Sequence, residues 1–143
     1  DGIAIAEPAA GLLSPGLIAE FSTPYVKQIR DAVEDDSFMI LYHNCGNAVP
    51  LLDNIKEIGA AGYSFGNAID IEEALKVMPG DSIVIGNIDP AGIISMFEDQ
   101  DRQMERCCKY PNFVVASGCD IPPNTSLENI EAFFGAVDEF YNR

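Results

Sequence analysis

Five short apolar runs, each followed by a segment of helical spacing, constrain this chain more than any other feature. They are "GIAIAE" (2–7), "FMILYH" (38–43), "AGYSF" (61–65), "SIVIGN" (82–87) and "FVVASG" (113–118). The runs are apolar at consecutive positions, so each strand needs cover on both faces. That is the pattern of a parallel sheet overlaid with helices; an antiparallel sheet with one wet face alternates apolar and polar residues instead. The intervening segments supply the helices. "PGLIAEFSTPYVKQIRDAV" sets Leu17, Ile18, Phe21, Tyr25, Val26, Ile29 and Val33 at helical spacing, with Pro24 expected to kink or split it. Similar segments follow at "PLLDNIKEIG", at "DIEEALKVM" with Asp70 as N-cap, at "DPAGIISMFEDQDRQMERCC" and at "SLENIEAFFGAVDEFYN".

Strand and helix alternating in this way make an α/β chain. At 143 residues and 48% hydrophobic content, it is long enough for one domain with its own core. Two architectures are compatible with the pattern: a complete five-stranded doubly wound sheet, or part of an eight-stranded (β/α)8 barrel. The chain has no G-x-G-x-x-G or G-K-[ST] loop, so the nucleotide-binding motive for a doubly wound sheet is missing.

Charge removes several function classes. Eight basic against 23 acidic residues give a formal charge of −15, which repels phosphate backbones and anionic lipid, so neither nucleic acid nor a membrane is an expected partner. The acidic runs "EDD", "DIEE" and "EDQD" fall at helix ends and read as solvated faces rather than calcium loops. No apolar run reaches membrane-spanning length. The opening "DGIAIAEP" has neither an initiator methionine nor a basic leader, and is not expected to be a native N-terminus. Cys45, Cys107, Cys108 and Cys119 are few and irregularly spaced, unlike a disulfide framework, so a reducing, cytoplasmic setting is expected.

The polar and small residues gather where the strands end. Glu7-Pro8 closes the first run, His43-Asn44-Cys45-Gly46-Asn47 the second, Gly86-Asn87-Ile88-Asp89-Pro90 the fourth, and Gly118-Cys119-Asp120-Ile121-Pro122-Pro123 the fifth. In either architecture the carboxyl ends of parallel strands carry the chemistry. His43 is the only histidine, and Cys45 stands two residues on, on the same side of an extended chain. With Cys119 they make a nitrogen and two sulfur ligands; three ligands and one open position describe a catalytic zinc site, and thiolates exclude magnesium and calcium. Each residue also has an ordinary reading, the histidine as a hydrogen-bonded core or surface group and each cysteine as a small buried hydrophobe. Glu7 reads as a displaceable metal ligand, as a proton acceptor, or as a cap ahead of Pro8. Cys107 and Cys108, adjacent on a helix and about 100° apart around its axis, chelate poorly and read as structural.

Taken in order, "AIAEPAAGLLSPGLIAEFSTPYVKQI", "HNCGN", "IGNIDPAGI" and "SGCDIPPNTSLENIEAF" resemble the carboxyl-terminal half of the uroporphyrinogen decarboxylase superfamily over nearly the whole chain. "GNIDP" and "GCDIPPNTSLENI" match that superfamily generally. The His-x-Cys pair with a later cysteine is similar to the zinc-dependent methylcobamide:coenzyme M methyltransferase branch, whereas the porphyrinogen decarboxylases work without metal. The resemblance implies the later five strand–helix units of a (β/α)8 TIM-type barrel, a single partial domain over residues 1–143 of a longer chain. It further implies Zn²⁺ on His43, Cys45 and Cys119, with Glu7 where family members carry an acidic residue. The implied reaction moves a methyl group from methylcobalamin, or a methylated corrinoid on a corrinoid protein, to a small thiol such as coenzyme M. Two other readings stay open, a metal-free decarboxylase and a non-catalytic fragment that binds metal or a corrinoid protein. One departure is Gly66 in "YSFGNAID", where many relatives carry an acidic residue. An incomplete barrel leaves open sheet edges, so a homo-oligomer is expected.

Overall fold

The computed structural model describes residues 1–91, 104–107 and 109–142. Its five strands are β1 (Gly2–Ala6), β2 (Met39–Asn44), β3 (Gly62–Phe65), β4 (Ile83–Ile88) and β5 (Phe113–Ser117). Each lies within a residue of an expected apolar run. All pair in parallel, in the spatial order β1-β2-β3-β4-β5. Every new strand thus joins the same advancing edge. A doubly wound sheet reverses direction at a switch point, so this order removes that alternative and leaves a stretch of barrel wall.

The helices are α1 (Pro15–Phe21), α2 (Thr23–Val33), α3 (Leu52–Lys56), α4 (Ile71–Val77) and α5 (Leu127–Tyr141). Their starts follow from side chains that satisfy amides left bare in a first helical turn. Ser14 accepts from the Leu17 amide, Asp70 from that of Glu72, and Ser126 from that of Asn129. Pro24 splits the first expected helix in two: α1 ends before Ser22, whose ψ of −68° and φ of −128° turn the chain, and Pro24 then sits in the first turn of α2, where no amide is needed. Most of the helix expected over "DPAGIISMFEDQDRQMERCC" lies outside the described residues, as does Cys108; residues 104–107 are helical, and Met104 and Cys107 are buried. Among the described residues no helix is long and apolar enough to cross a membrane.

The two faces of the sheet differ. Ile40 and Tyr42 of β2, Tyr63 and Phe65 of β3, and Val84 of β4 are buried in the main core beneath the helices with Ile18, Val26, Leu51, Ile55 and Ile71. The alternate residues, Ala4, Ala6, Leu41, His43, Ser64, Ile83 and Ile85, face the other way, toward the inside of the barrel wall. At the amino ends of the strands Glu34 joins two of them, its Oε2 accepting from the amides of Ile40 (2.8 Å) and Ala61 (3.1 Å). Stability features thus gather at that end, leaving the carboxyl ends for chemistry.

Candidate metal centre

Strand register decides what surrounds the histidine. Ala6 pairs with His43, His43 with Ser64, and Ser64 with Ile85, so the imidazole stands in one row between a methyl group and a hydroxyl. Its Nδ1 lies 3.0 Å from Ser64 Oγ. Cys45 follows one residue beyond the end of β2, and Cys119 two residues beyond the end of β5. One ligand atom from each of His43, Cys45 and Cys119 falls in a group with all members within 4.8 Å of one another. His43 and Cys45 are half-buried, and Cys119 is exposed. The three line a cavity of about 440 Å³ together with Ala4, Ala6, Pro8, Ser64, Ser117 and Asp120.

The local electrostatics favour a neutral imidazole and a protonated Cys45 thiol when no cation is present. Burial pulls the His43 pKa below its ordinary 6.5, against the attraction of the Asp120 carboxylate and the Ser64 contact. Burial pushes the Cys45 thiol above its ordinary 9.0, helped by the charge of the neighbouring Cys119 and a hydrogen bond with it. Both shifts come first from desolvation of the charged form. A bound cation would reverse the balance for sulfur by stabilising thiolate.

Glu7 stands apart from this group. Its Oε2 accepts a 2.6 Å hydrogen bond from Ser22 Oγ at the junction of α1 and α2, and its side chain is not among those lining the cavity. Alternation along β1 accounts for this, since Ala4 and Ala6 face the cavity and Glu7 falls on the opposite side. Burial, with a further push from the Glu7 carboxylate, raises the Tyr42 phenol to about 12, so it stays a neutral hydrogen-bonding group. The main chain of Glu7 is nonetheless tied to the ligand loop. Its amide donates to the His43 carbonyl, and its carbonyl accepts from Asn44 Nδ2, while Asn44 Oδ1 accepts from the Gly46 amide. Asn44 is fully buried, stands between His43 and Cys45 in the chain and fastens the turns on either side. Cys107, by contrast, is buried in the main core with its thiol pushed up chiefly by desolvation, and it belongs to no metal-holding group among the described residues.

Residues 1–140 match the uroporphyrinogen decarboxylase (URO-D) family. The chain belongs to that family. Among its curated relatives, a methylcobamide:CoM methyltransferase (MtaA) of Methanosarcina barkeri is 31% identical over 99% of this chain and 42% of its own length. A uroporphyrinogen decarboxylase of Prochlorococcus marinus is 33% identical over 87% of the chain and 37% of its own length. Among solved structures, a methyltransferase from Methanosarcina mazei superposes with a TM-score of 0.83 at 28% identity, covering 99% of this chain and 42% of that one. The chain therefore spans about two fifths of the length of these relatives, and its five parallel strands correspond to part of a URO-D barrel.

Three contributors to the site escape sequence reading. Ser64 becomes a partner of His43 only through the β2–β3 register. Asp120 adjoins Cys119 in the chain, but its influence on His43 depends on the loops closing over one another. Asn44 carries a usable signal, an amide set inside an apolar strand between two candidate ligands.

Proposed function

We propose that this chain is the zinc-holding part of a methyltransferase that moves a methyl group from a methylated corrinoid to the sulfur of a small thiol of the coenzyme M kind. The observation that carries the reading is the meeting of one imidazole and two thiols within 4.8 Å at the carboxyl ends of the strands. Sequence identity does not choose between the two activities found in the family, since a methyltransferase at 31% and a decarboxylase at 33% stand equally near. The donor set supports the methyltransferase. A decarboxylase that works without metal has no use for a nitrogen and two sulfurs facing one point.

The residues fit the ion. One imidazole and two thiols suit zinc, disfavour the oxygen-seeking cations, and leave one coordination position for a substrate. Zn²⁺ bound there would supply the positive charge that keeps a substrate thiol deprotonated at neutral pH. The protein's own groups prepare the site. Ser64 engages His43 Nδ1, which fixes the ring and makes Nε2 the nitrogen presented to a metal; ligating histidines are commonly held through their second nitrogen in this way. Burial keeps that ring neutral, as a ligand must be. Ala4, Ala6 and Pro8 form a wall of small apolar groups beside the ligands, against which a short carbon chain can lie. For Glu7 we propose support of the ligand loop through Asn44 and Ser22 in place of the expected proton-accepting role, because its carboxylate is held outside the cavity.

The methyl donor implied by this reading is methylcobalamin or a methylated corrinoid presented by a corrinoid protein. Self-association through the open barrel wall belongs to the same proposal, and Val114 on the inner face is 47% exposed. Elemental analysis of the purified protein tests the metal: about one zinc per chain is expected, falling sharply in Cys45→Ser and Cys119→Ser. Methyl transfer from methylcobalamin to coenzyme M, followed by the corrinoid spectrum in the full-length protein that carries this sequence, tests the reaction. Decarboxylation of a porphyrinogen without methyl transfer would instead assign the family's other activity. Metal binding with neither reaction would leave a non-catalytic binding role.

A further inference from the structure

Cys45 and Cys119 have no right to be neighbours on strand order alone. They follow β2 and β5, which have β3 and β4 between them, and three strand spacings of about 4.8 Å separate such strands by roughly 14 Å in a flat sheet. Yet their ligand atoms are within 4.8 Å. The loops after β2, β3 and β5 must therefore lean together across the mouth of the wall, backbone against backbone.

Two glycines stand where they touch. A Cβ added at Gly66, in the loop after β3, would lie 2.6 Å from Cys45 Cα, 2.8 Å from Cys45 Cβ and 2.9 Å from the Cys45 carbonyl oxygen. A Cβ added at Gly118 would lie 2.7 Å from the Asn67 amide nitrogen and 3.2 Å from both the Cα and the carbonyl carbon of Gly66. The order is thus Cys45, Gly66, Gly118, Cys119, with no side chain between the first backbone and the last. Neither glycine has a positive φ, so what each position demands is space rather than a left-handed backbone.

The middle of this stack is fixed from behind. The Gly66 amide donates to the Asn44 carbonyl at 3.0 Å, and the Gly66 carbonyl accepts from Asn87 Nδ2 at 2.9 Å. The buried Asn87 amide also donates to the Ile69 carbonyl at 2.7 Å, and the Gly118 amide donates to the Ile88 carbonyl at 2.7 Å. A side chain at Gly66 could not be accommodated by letting its own loop retreat without breaking these bonds. Cys45 would have to move.

We propose that Gly66 is a positioning residue of the metal centre, its missing side chain setting the distance between Cys45 and Cys119, with Gly118 the second layer of the same spacer. The proposal rests on the metal reading above and deepens it.

Cobalt(II) is the probe, because its absorption reports the number of thiolate ligands and the symmetry around the ion. Wild type, Gly66→Ala and Gly118→Ala are titrated with cobalt(II) and with zinc(II) against a chromophoric chelator. Gly135→Ala, on α5 with nothing within 4 Å of an added Cβ, serves as the control. The expected result is zinc affinity at least tenfold weaker in Gly66→Ala, a cobalt spectrum with reduced thiolate-to-metal absorption, and far-ultraviolet circular dichroism like that of wild type. Gly118→Ala should move both readouts in the same direction, and Gly135→Ala should move neither. A Gly66→Ala protein with the affinity and cobalt spectrum of wild type overturns the inference and leaves the metal reading standing. Wild type that binds neither ion overturns both. If neither glycine variant folds as wild type does, these glycines serve the fold as a whole, and the assignment to the metal centre falls.

Discussion

The proposed ligand set makes a quantitative demand on pH. Desolvation holds His43 below 6.5 and holds the Cys45 thiol above 9.0. At neutral pH the imidazole is therefore already in its ligating form while the Cys45 sulfur still carries its proton. Each thiol that becomes a ligand releases one, so with Cys45 and Cys119 both bound the apparent affinity rises about 100-fold for each unit of pH. Binding to the folded state alone converts that factor into stability, and a hundredfold change in affinity is about 2.7 kcal/mol once the site is well populated. The sign follows from which form binds: zinc stabilisation grows as pH rises and is lost as pH falls. Because the Cys45 thiol is pushed up, the steep region extends upward past the ordinary thiol range. Because His43 is pushed down, the third proton enters only below about 6.5 and steepens the loss there.

Competition with a chromophoric chelator from about pH 6 to about pH 9 gives the slope directly, and melting curves with and without zinc give the same quantity as a stability. Cys119→Ser should reduce the slope to about one proton per zinc, with affinity weakened throughout. A wild-type slope near one would mean that a single sulfur binds and would remove either Cys45 or Cys119 from the ligand set. A slope near zero through the neutral range would refute thiolate ligation altogether, and with it the separation of this site from a metal-free decarboxylase pocket.

Ser64→Ala removes the hydroxyl that holds His43 Nδ1 and should weaken zinc binding by about 10-fold to 100-fold while leaving the melting temperature of the metal-free protein nearly unchanged. Glu34→Ala strips a charged acceptor from two strand amides and should cost roughly 3 kcal/mol in urea unfolding, with no change in zinc affinity. Lys109 and Arg106 hold the Glu72 carboxyl down to about 2, so Glu72→Gln should lower the melting temperature at neutral pH. That difference is present above the ordinary carboxylate range and should shrink as pH falls toward about 2, where wild type also loses the charge.

How much of this was legible in the sequence depends on the range over which each feature is decided. The strands were legible because a run such as "SIVIGN" needs apolar cover on both faces, and only a buried parallel strand provides it. The split at Pro24 was equally local, since a proline without an amide fits a first helical turn and no interior one. The order of strands was not, because a parallel run looks the same in a barrel wall and in a doubly wound sheet. Ser64 is hidden for a related reason: a serine in "AGYSF" becomes a histidine's partner only when hydrogen bonding between strands sets His43 opposite it. The side on which Glu7 falls follows from alternation once Ala6 is known to face the cavity, but nothing in "AIAEP" says which face is which. Cys119 was recognisable as a ligand type at a strand end, while its approach to Cys45 depends on space left at Gly66 and Gly118, where the informative feature is a missing side chain.

The same geometry separates two tasks that a methyltransferase site has to perform. All three proposed ligands come from the ends of β2 and β5, and the groups that orient them, Ser64 and Asn44, come from β3 and β2. In this proposal, holding the ion is thus a property of β2, β3 and β5 and of the loops that lean together after them. Recognising the tail of an anionic acceptor is not. Among the described residues, Asp120 is the one carboxylate on the cavity wall, and no lysine or arginine lines it. Arg30, Lys76, Arg106 and Lys109 are engaged with carboxylates on the helical side. A sulfonated thiol brought to this wall meets like charge at Asp120 and finds no cation among the lining residues to offset it. In a family whose relatives are more than twice this length, that division predicts that changes along β2, β3 and β5 alter metal binding for every acceptor alike. Discrimination between a sulfonated thiol and an uncharged one of the same length should then track groups outside this cavity wall. Measuring both thiols in the Ser64→Ala protein tests the division: equal losses for the two support it, and a loss confined to the sulfonated thiol would place acceptor recognition on this wall after all.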